Sequence, residues 1–418
     1  MKIVIIGGGF AGINLVRQLS NKPGIELILV DKNNYHFFPP LIYQVATCFL
    51  EASSISYPFR MFMHKIKNLR FRLGTLVKVF PDEKKVLLTT GEITYDYLVL
   101  ASGTVTNFFD MKNVQENAIP MKTLDDAMAM RNILLQRLEK ATVTTDELEK
   151  EKLTTIVVTG GGPTGVEISG ILAEMRNSIL RNDYPELEGI NTEIYLIDGG
   201  ESLLSHMSEK SQRHTHDELR RMGVKIKLKC RVSDFVDGQV FFKDGDSINS
   251  YNLLWAAGIT SQKFDGIPAE CYGRGNRLNV NEYNEIIGMP SVYAIGDTSF
   301  QTTDPAYEMG HPQVAQVALQ QGINLAKNFV NIQKGRGLQS FRYQDKGSMA
   351  IIGKSKAVAD LPKPKIHFKG FIAWIAWLFI HLVSLIHYRN RVKTLYNWFV
   401  SYLKNDQSLR MIFRPKNY

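Results

Sequence analysis

One eleven-residue pattern occurs twice in this 418-residue chain, and it restricts the fold more than any other feature. "KIVIIGGGFAG" at 2–12 returns as "TIVVTGGGPTG" at 155–165. Each copy runs an apolar, β-branched stretch into G-x-G-x-x-G and then into a helical pattern. The glycines are Gly7, Gly9 and Gly12 in the first copy, and Gly160, Gly162 and Gly165 in the second. Alone, such a glycine motif is weak. Here a strand precedes each copy, a helix follows, and an acid ends the next strand: Asp31 after "IELILV" and Asp198 in "EIYLID". In that context the first glycine permits a tight turn and the second lets a pyrophosphate approach the backbone. The third lets helix pack on strand, and the acid receives ribose hydroxyls.

The predicted fold class is therefore α/β, with two Rossmann-like dinucleotide-binding domains. Three further strand-to-glycine runs set their order: "YDYLVLASGT" (95–104), "YNLLWAAGIT" (251–260) and "SVYAIGDTS" (291–299). The series from 155 to 284 is a complete unit, so the second domain is expected to be inserted in the first. The expected boundaries are 1–115 and 286–350 for the first domain, 116–285 for the second, and 351–418 for a C-terminal amphipathic helical region.

The formal net charge of +9 sits in that last region. Residues 361–418 hold ten Lys/Arg against Asp406, and the rest of the chain carries 40 basic and 40 acidic side chains. A nucleic-acid partner is not expected, because basicity is not spread over a folded recognition face. The tail contains "FIAWIAWLFIHLVSLI" (371–386), shorter than the roughly 20 residues that span a bilayer. "HYRNRVK" and a second aromatic, basic run follow it. The pattern predicts an interfacial anchor on anionic lipid through residues 362–418; a packing or dimerisation helix is the alternative. Cys48, Cys230 and Cys271 show no C-x-x-C spacing, which argues against disulfides, structural zinc and Fe–S clusters; no metal is expected. Cys48 reads as a small buried apolar residue. His36, His311 and His381 lack ligand spacing and read as structural. "MKIVIIGGGF" reads as a first strand and not as a signal peptide.

With both nucleotide motifs in place, the whole chain resembles the two-dinucleotide-domain flavoproteins, in which FAD occupies the first site and NAD(P)H the second. The stretches "DKNNYHFFPPLIYQVAT" (31–47), "GPTGVEISGILAEM" (162–175), "WAAGIT" (255–260), "AQVALQQG" (315–322) and the aromatic tail resemble the type II NADH:quinone oxidoreductases. Cys48 and Asp198 are two mild departures from that pattern. The resemblance implies non-covalent FAD held by Gly7, Gly9, Gly12, Asp31, Lys32, Tyr43, Gln44, Val77, Ala101, Ser102, Gly103, Asp297, Ala315 and Gln316. It implies NADH as substrate at Gly160, Gly162, Gly165, Glu167, Asp198, Ala257 and Gly258. Asp198 is followed by Gly199-Gly200 and not by a cation, which favours NADH over NADPH. The implied acceptor is a membrane quinone, ubiquinone or menaquinone, reduced without proton pumping by a peripheral enzyme. The expected location is the cytoplasmic face of a prokaryotic inner membrane, and the family also implies a homodimer. Reduction of a soluble ferredoxin- or rubredoxin-type carrier, or non-catalytic NADH sensing, are the rival readings.

Three residues carry the expected catalytic roles. Glu167 either stabilises the start of its helix or, as the family's "GVE" motif implies, belongs to a proton route to quinone. Gln316 and Gln320 lie one turn apart on the helix expected to open at Pro312. Their amides either satisfy neighbouring backbone or bond a quinone carbonyl without adding charge. That helix's N-terminus is expected to stabilise negative charge on the reduced flavin, and Ala315 and Ala318 to admit flat rings. Tyr43 and Gln44 are either core residues or line the flavin.

Overall fold

The computed structural model describes residues 1–177, 181–190, 192–404 and 410–412. The end of the basic tail, with Asp406, Arg414 and Lys416, lies outside the described residues. The chain opens with β1 (Lys2–Ile6), α1 (Phe10–Leu19), β2 (Glu26–Asp31), α2 (Ile42–Ala46), β3 (Leu69–Leu73) and β4 (Tyr97–Leu100). Next come β5 (Ile119–Pro120), α3 (Leu124–Val143), β6 (Ile156–Thr159), α4 (Pro163–Met175), β7 (Ile194–Ile197) and α5 (Glu209–Arg221). After β8 (Val224–Lys227), β9 (Asn252–Trp255) and β10 (Val292–Ala294) comes the long helix α6 (Ala315–Gln333). The chain closes with β11 (Ser348–Gly353), β12 (Lys356–Pro362), β13 (Lys365–Lys369), α7 (Gly370–Ser384) and α8 (Tyr388–Lys404).

Two compact units result. The first comprises Met1–Phe37, Tyr57–Val105 and Ile259–Asp345; the second comprises Phe38–Ser56, Thr106–Gly258 and Lys346–Tyr418. The first contains a parallel sheet of order β10-β4-β1-β2-β3. The second contains a parallel sheet of order β5-β9-β6-β7-β8. Sheets covered on both faces need continuously apolar strands, and Ile3, Val4, Ile5, Val157 and Val158 are all fully buried. In the first unit α1 packs on α6, where a Cβ added to Gly322 would fall 2.5 Å from the Ala11 carbonyl oxygen. In the second, Thr123 and Asp126 form a reciprocal capping box that starts α3, and Pro163 takes the first turn of α4.

The expected nesting is present, but the boundaries move. Residues 259–285 join the first unit because Leu278–Val280 pairs in parallel with Ser299–Gln301. Residues 106–115 join the second, where the helix Lys112–Asn117 packs on the strand Val232–Val236. The C-terminal region is not a purely helical appendage. It begins with the antiparallel sheet β11-β12-β13 and belongs to the second unit. α4 lies flush on β11, where a Cβ at Gly170 would sit 1.7 Å from the Ile352 carbonyl oxygen. The sequence reading missed this sheet because tertiary pairing, and not local patterning, creates it.

Among the described residues no helix is long and apolar enough to cross a membrane. α7 and α8 instead turn apolar residues outward. On α7 these are Phe371, Ile372, Ile375, Phe379, Ile380 and Val383; on α8 they are Tyr388, Val392, Leu395, Tyr396 and Phe399. The inward face of α8 carries polar residues beside the buried Trp398. Asn390 Nδ2 donates to the carbonyls of Ser53, Ser54 and Ser56, and Thr394 Oγ1 to that of Ser54.

Candidate functional site

The two glycine loops are built alike. Gly7 (φ 105°) and Gly160 (φ 108°) adopt backbone that side chains avoid, and a Cβ on either would meet the carbonyl of Ala101 or Ala256 within 2.4 Å. A Cβ at Gly12 or Gly165 would fall 2.0 or 1.8 Å from the carbonyl oxygen of Gly7 or Gly160. These glycines are demanded by packing. The middle ones are not: Gly9 and Gly162 have ordinary extended backbone, and a Cβ at either would meet nothing within 4 Å. Each cap the N-terminus of its helix without a side-chain bond, leaving an open cradle at the positive end of the helix dipole. That vacant approach fits a pyrophosphate, so both loops suit the dinucleotides expected of them.

The acids latch onto these loops. Asp31 Oδ2 accepts from Gly8 N at 2.7 Å and Oδ1 from Asn33 N at 2.8 Å. Burial raises the Asp31 pKa, and the two amides act against that rise. Asp198 accepts from Gly161 N and Gly200 N, both at 2.6 Å. The spare lone pairs of each carboxylate remain for ribose hydroxyls. Gly160, Asp198 and Ala257 line a cavity of about 730 Å³ together with Arg231, Ser233, Lys243 and Trp255. That volume is in the range of small-ligand and cofactor pockets. Gly258 packs against the Phe109 ring.

Glu167 lies on α4, two residues past the packing glycine Gly165, and is buried. Ile351 N donates to its Oε1 at 3.4 Å. The Trp377 indole N–H faces the same carboxyl but falls outside hydrogen-bond geometry. Burial pushes its pKa up to about 8, and the two N–H groups offset only part of that. The group is thus mostly protonated at neutral pH. Trp377 in turn stacks on His381, with ring centroids 3.8 Å apart.

The glutamine helix differs from expectation. α6 starts at Ala315, with Val314 as its cap, and Pro312 belongs to the non-helical approach. A Cβ added to Gly296 would fall 3.4 Å from the Ala318 Cβ, so the smallness of Ala318 serves packing. Gln320 holds the backbone of Gln344 at both ends: Nε2 donates to its carbonyl at 2.8 Å, and Oε1 accepts from its N–H at 3.0 Å. Gln316 Oε1 accepts from Tyr343 OH at a longer 3.4 Å. The sequence reading overlooked Gln321 and Gln313. Buried Gln321 Oε1 accepts from Gly296 N and Ser299 Oγ, and Gln313 Nε2 donates to the Asp297 carbonyl. The pair fixes the Gly296-Asp297 turn. One amide serves here through its oxygen and the other through its nitrogen, a reason visible only once the loops are in place.

The remaining expected site residues are dispersed. Ala101 closes over Gly7, Gly103 (φ 67°) lies in open space, and Lys32 and Val77 are exposed in the first unit. Tyr43 and Gln44 belong to the second unit and are core residues. Trp398 Nε1 donates to Gln44 Oε1 at 2.7 Å, and Gln44 Nε2 to Tyr43 OH at 3.2 Å. His36 bonds the Gly8 carbonyl and His311 bonds Asp304. Cys48 is buried and its thiol pushed up to about 11 by that burial. Arg231 and Lys243 were missed because they reach the second cavity from a segment remote from its glycine loop.

Known proteins share this organisation. Residues 1–322 match the pyridine nucleotide-disulphide oxidoreductase family and residues 346–405 the NDH2 C-terminal domain. A type II NADH:quinone oxidoreductase of Mycobacterium tuberculosis is 33% identical over 96% of this chain and 87% of its own. One of Haemophilus influenzae is 28% identical over 86% of each. The fold is similar to NDH2 from Plasmodium falciparum in complex with NADH, with a TM-score of 0.89, 22% identity and 99% of both chains covered. It is less similar to the sulfide:quinone oxidoreductase of Aquifex aeolicus, at TM-score 0.75, 17% identity and 96% and 95% coverage. The chain belongs to the type II NADH:quinone oxidoreductases, a branch of the pyridine nucleotide-disulphide oxidoreductase family.

Proposed function

We infer that this protein oxidises NADH and passes two electrons to a membrane quinone through non-covalent FAD, without pumping protons. The observation that carries the reading is the pair of latched glycine loops, each leaving one glycine unfilled at a helix N-terminus. The first cradle, with Asp31, Ala101 and the Gly296-Asp297 turn, would hold FAD, and the second, with Asp198 and Ala257, NADH. When bound, FAD accepts hydride from NADH and delivers the electron pair to quinone. Asp31 and Asp198 orient ribose, and the helix N-termini bind pyrophosphate. The buried Glu167 carboxyl accepts from Ile351 N through Oε1, and its proton would go to a quinone oxygen that has gained electrons.

The positive end of α6 at Ala315 is suited to a developing negative charge. Gln316, on the first turn of α6, is the amide assigned to a quinone carbonyl. Replacing it by Ala should raise the quinone KM about tenfold, the effect of one lost hydrogen bond. Gln320→Ala should instead lower thermal stability by loosening the Gln344 segment. Equal effects of the two on quinone KM would reject this division. Steady-state NADH oxidation with short-chain ubiquinone and menaquinone analogues tests the whole reading. FAD reduction by NADH without quinone turnover would transfer the acceptor role to a soluble carrier.

The outward apolar faces of α7 and α8, edged by Arg389, Arg391 and Lys393, suit a lipid surface. The reading places the protein peripherally on the cytoplasmic face of a prokaryotic inner membrane, as a homodimer. Each exposed aliphatic or ring contributes on the order of 1 kcal/mol when half withdrawn from water. Ile372→Ser with Phe379→Ser should therefore weaken binding to anionic vesicles at least tenfold. Unchanged vesicle binding, with loss of the dimer in sedimentation, would assign that face to a second copy instead.

A further inference from the structure

A buried cation stands beside the turn assigned to FAD. Arg277 precedes the strand Leu278–Val280, whose parallel partner Ser299–Gln301 leaves the Gly296-Asp297 turn. Its Nε donates to the Ser299 carbonyl at 2.8 Å and its Nη2 to the His311 carbonyl at 3.0 Å. Those carbonyls belong to two arms of the flavin site. Ser299 follows the Gly296–Thr298 turn, and His311 opens the approach to α6, in which Gln313 holds the Asp297 carbonyl. The Phe300 ring centroid lies 5.0 Å from the guanidinium carbon. Among the described residues the charge meets these carbonyls and that ring, and no carboxylate at ion-pair distance. Asp304 is engaged elsewhere: it accepts from Tyr343 N and bonds His311 Nε2, both at 3.0 Å, with Arg342 at 3.5 Å. Burial lowers the Arg277 pKa to about 10, and Asp297 acts against that fall. The group is thus cationic at neutral pH. Arg274 adds a second positive charge nearby, and burial lowers the His311 pKa, which leaves that ring uncharged.

We propose that Arg277 is a positioning residue that favours the reduced over the oxidised form of bound FAD, by joining the two arms of the site and setting an unpaired positive charge beside them. The proposal rests on the FAD reading of the first glycine loop. An uncharged amide could bridge two neutral carbonyls, so the bridging alone does not call for a guanidinium. Burying that cation against carbonyl dipoles is costly, since they replace only part of its hydration. A negative charge arriving nearby offsets the cost. Hydride taken from NADH brings two electrons and one proton to the flavin ring and leaves it one unit more negative. The pyrophosphate carries the same charge in both forms, and its cradle is at Gly9. Arg277 instead holds the residue four before Ala315, where the positive end of α6 is suited to developing charge. The fixed cation and the helix end act in the same sense, Asp297 opposes them in part, and a buried charge is screened less than one in water.

The test uses the FAD-loaded full chain and reads the two-electron reduction potential of its flavin against a reference dye. Arg277→Gln should lower the equilibrium constant for flavin reduction about tenfold, which is about 30 mV for a two-electron couple. Arg277→Lys keeps the charge without the planar fork and should retain most of the wild-type potential. Equal potentials in the wild type and Arg277→Gln would overturn the proposal. So would a lysine variant shifted as far as the glutamine one, which would leave Arg277 only the bridging of two carbonyls. If neither variant folds, the wild type decides. Its reduced flavin should keep the absorbance of the anion to about one pH unit below free reduced FAD, the same tenfold preference. Titration at the pH of free reduced FAD would overturn the proposal. A chain that takes up no FAD would reject the FAD reading itself, a result distinct from bound FAD with an unshifted potential.

Discussion

Replacing Glu167 by Gln is expected to stabilise the protein above neutral pH while slowing quinone turnover. The carboxyl is raised from 4.5 to about 8, mainly by burial. Between those pH values the folded chain keeps a proton that the unfolded chain releases, so native stability falls as pH rises across that window. Above about pH 8 the whole penalty is present. At roughly 1.4 kcal/mol per pKa unit it is on the order of several kcal/mol. Gln does not titrate, so the variant should match the wild type near pH 5 and exceed its melting temperature by several degrees at pH 8. The same substitution removes the transferable proton, and quinone kcat should fall about 100-fold with FAD content retained. Equal turnover would leave Glu167 only a packing role. A melting difference independent of pH would show that the group is not held protonated.

The second large effect separates two glycines three residues apart. Gly165→Ala would place a Cβ 1.8 Å from the Gly160 carbonyl oxygen, a backbone atom that cannot yield without moving β6 away from α4. Its expected result is loss of folded protein. A Cβ at Gly162 meets no protein atom within 4 Å, and the φ of −74° and ψ of −177° there suit any residue, so Gly162→Val is tolerated by the fold. That variant should fold and retain FAD, yet lose NADH oxidation by at least 100-fold, because the side chain fills the pyrophosphate's approach. Thermal unfolding, flavin content and NADH-dependent flavin bleaching distinguish the cases. A Gly162→Val protein that binds NADH normally would show that the second cradle is not the nucleotide site.

Much of this was legible in the chain because dinucleotide recognition is local. Strand, glycine turn, helix and acid lie within residues 2–31 in the first copy and 155–198 in the second, so their order along the chain predicts the cradle. The uneven charge of the tail was equally plain. The helix reading was less secure. Small residues and amides on α6 suggested a ligand face, but Ala318 and Gly322 serve close packing, and Gln313, Gln320 and Gln321 pin loops. Sequence composition cannot tell an amide that bonds a ligand from one that bonds a carbonyl, since both tasks call for the same group.

By itself the sequence determined that the chain folds as two nested dinucleotide units, which acid latches each loop, and that its tail is basic and aromatic. Backbone sterics and local hydrogen bonding act over short separations, so adjacent residues record them. Only the tertiary structure decided the rest. It drew residues 346–369 into a sheet against α4, buried Glu167 beneath Ile351 and Trp377, turned the apolar faces of α7 and α8 outward, and carried Arg231 and Lys243 to the cavity that Asp198 lines. Burial, and the charge a group keeps under it, depend on neighbours distant in the chain, and those are known only when the chain is folded.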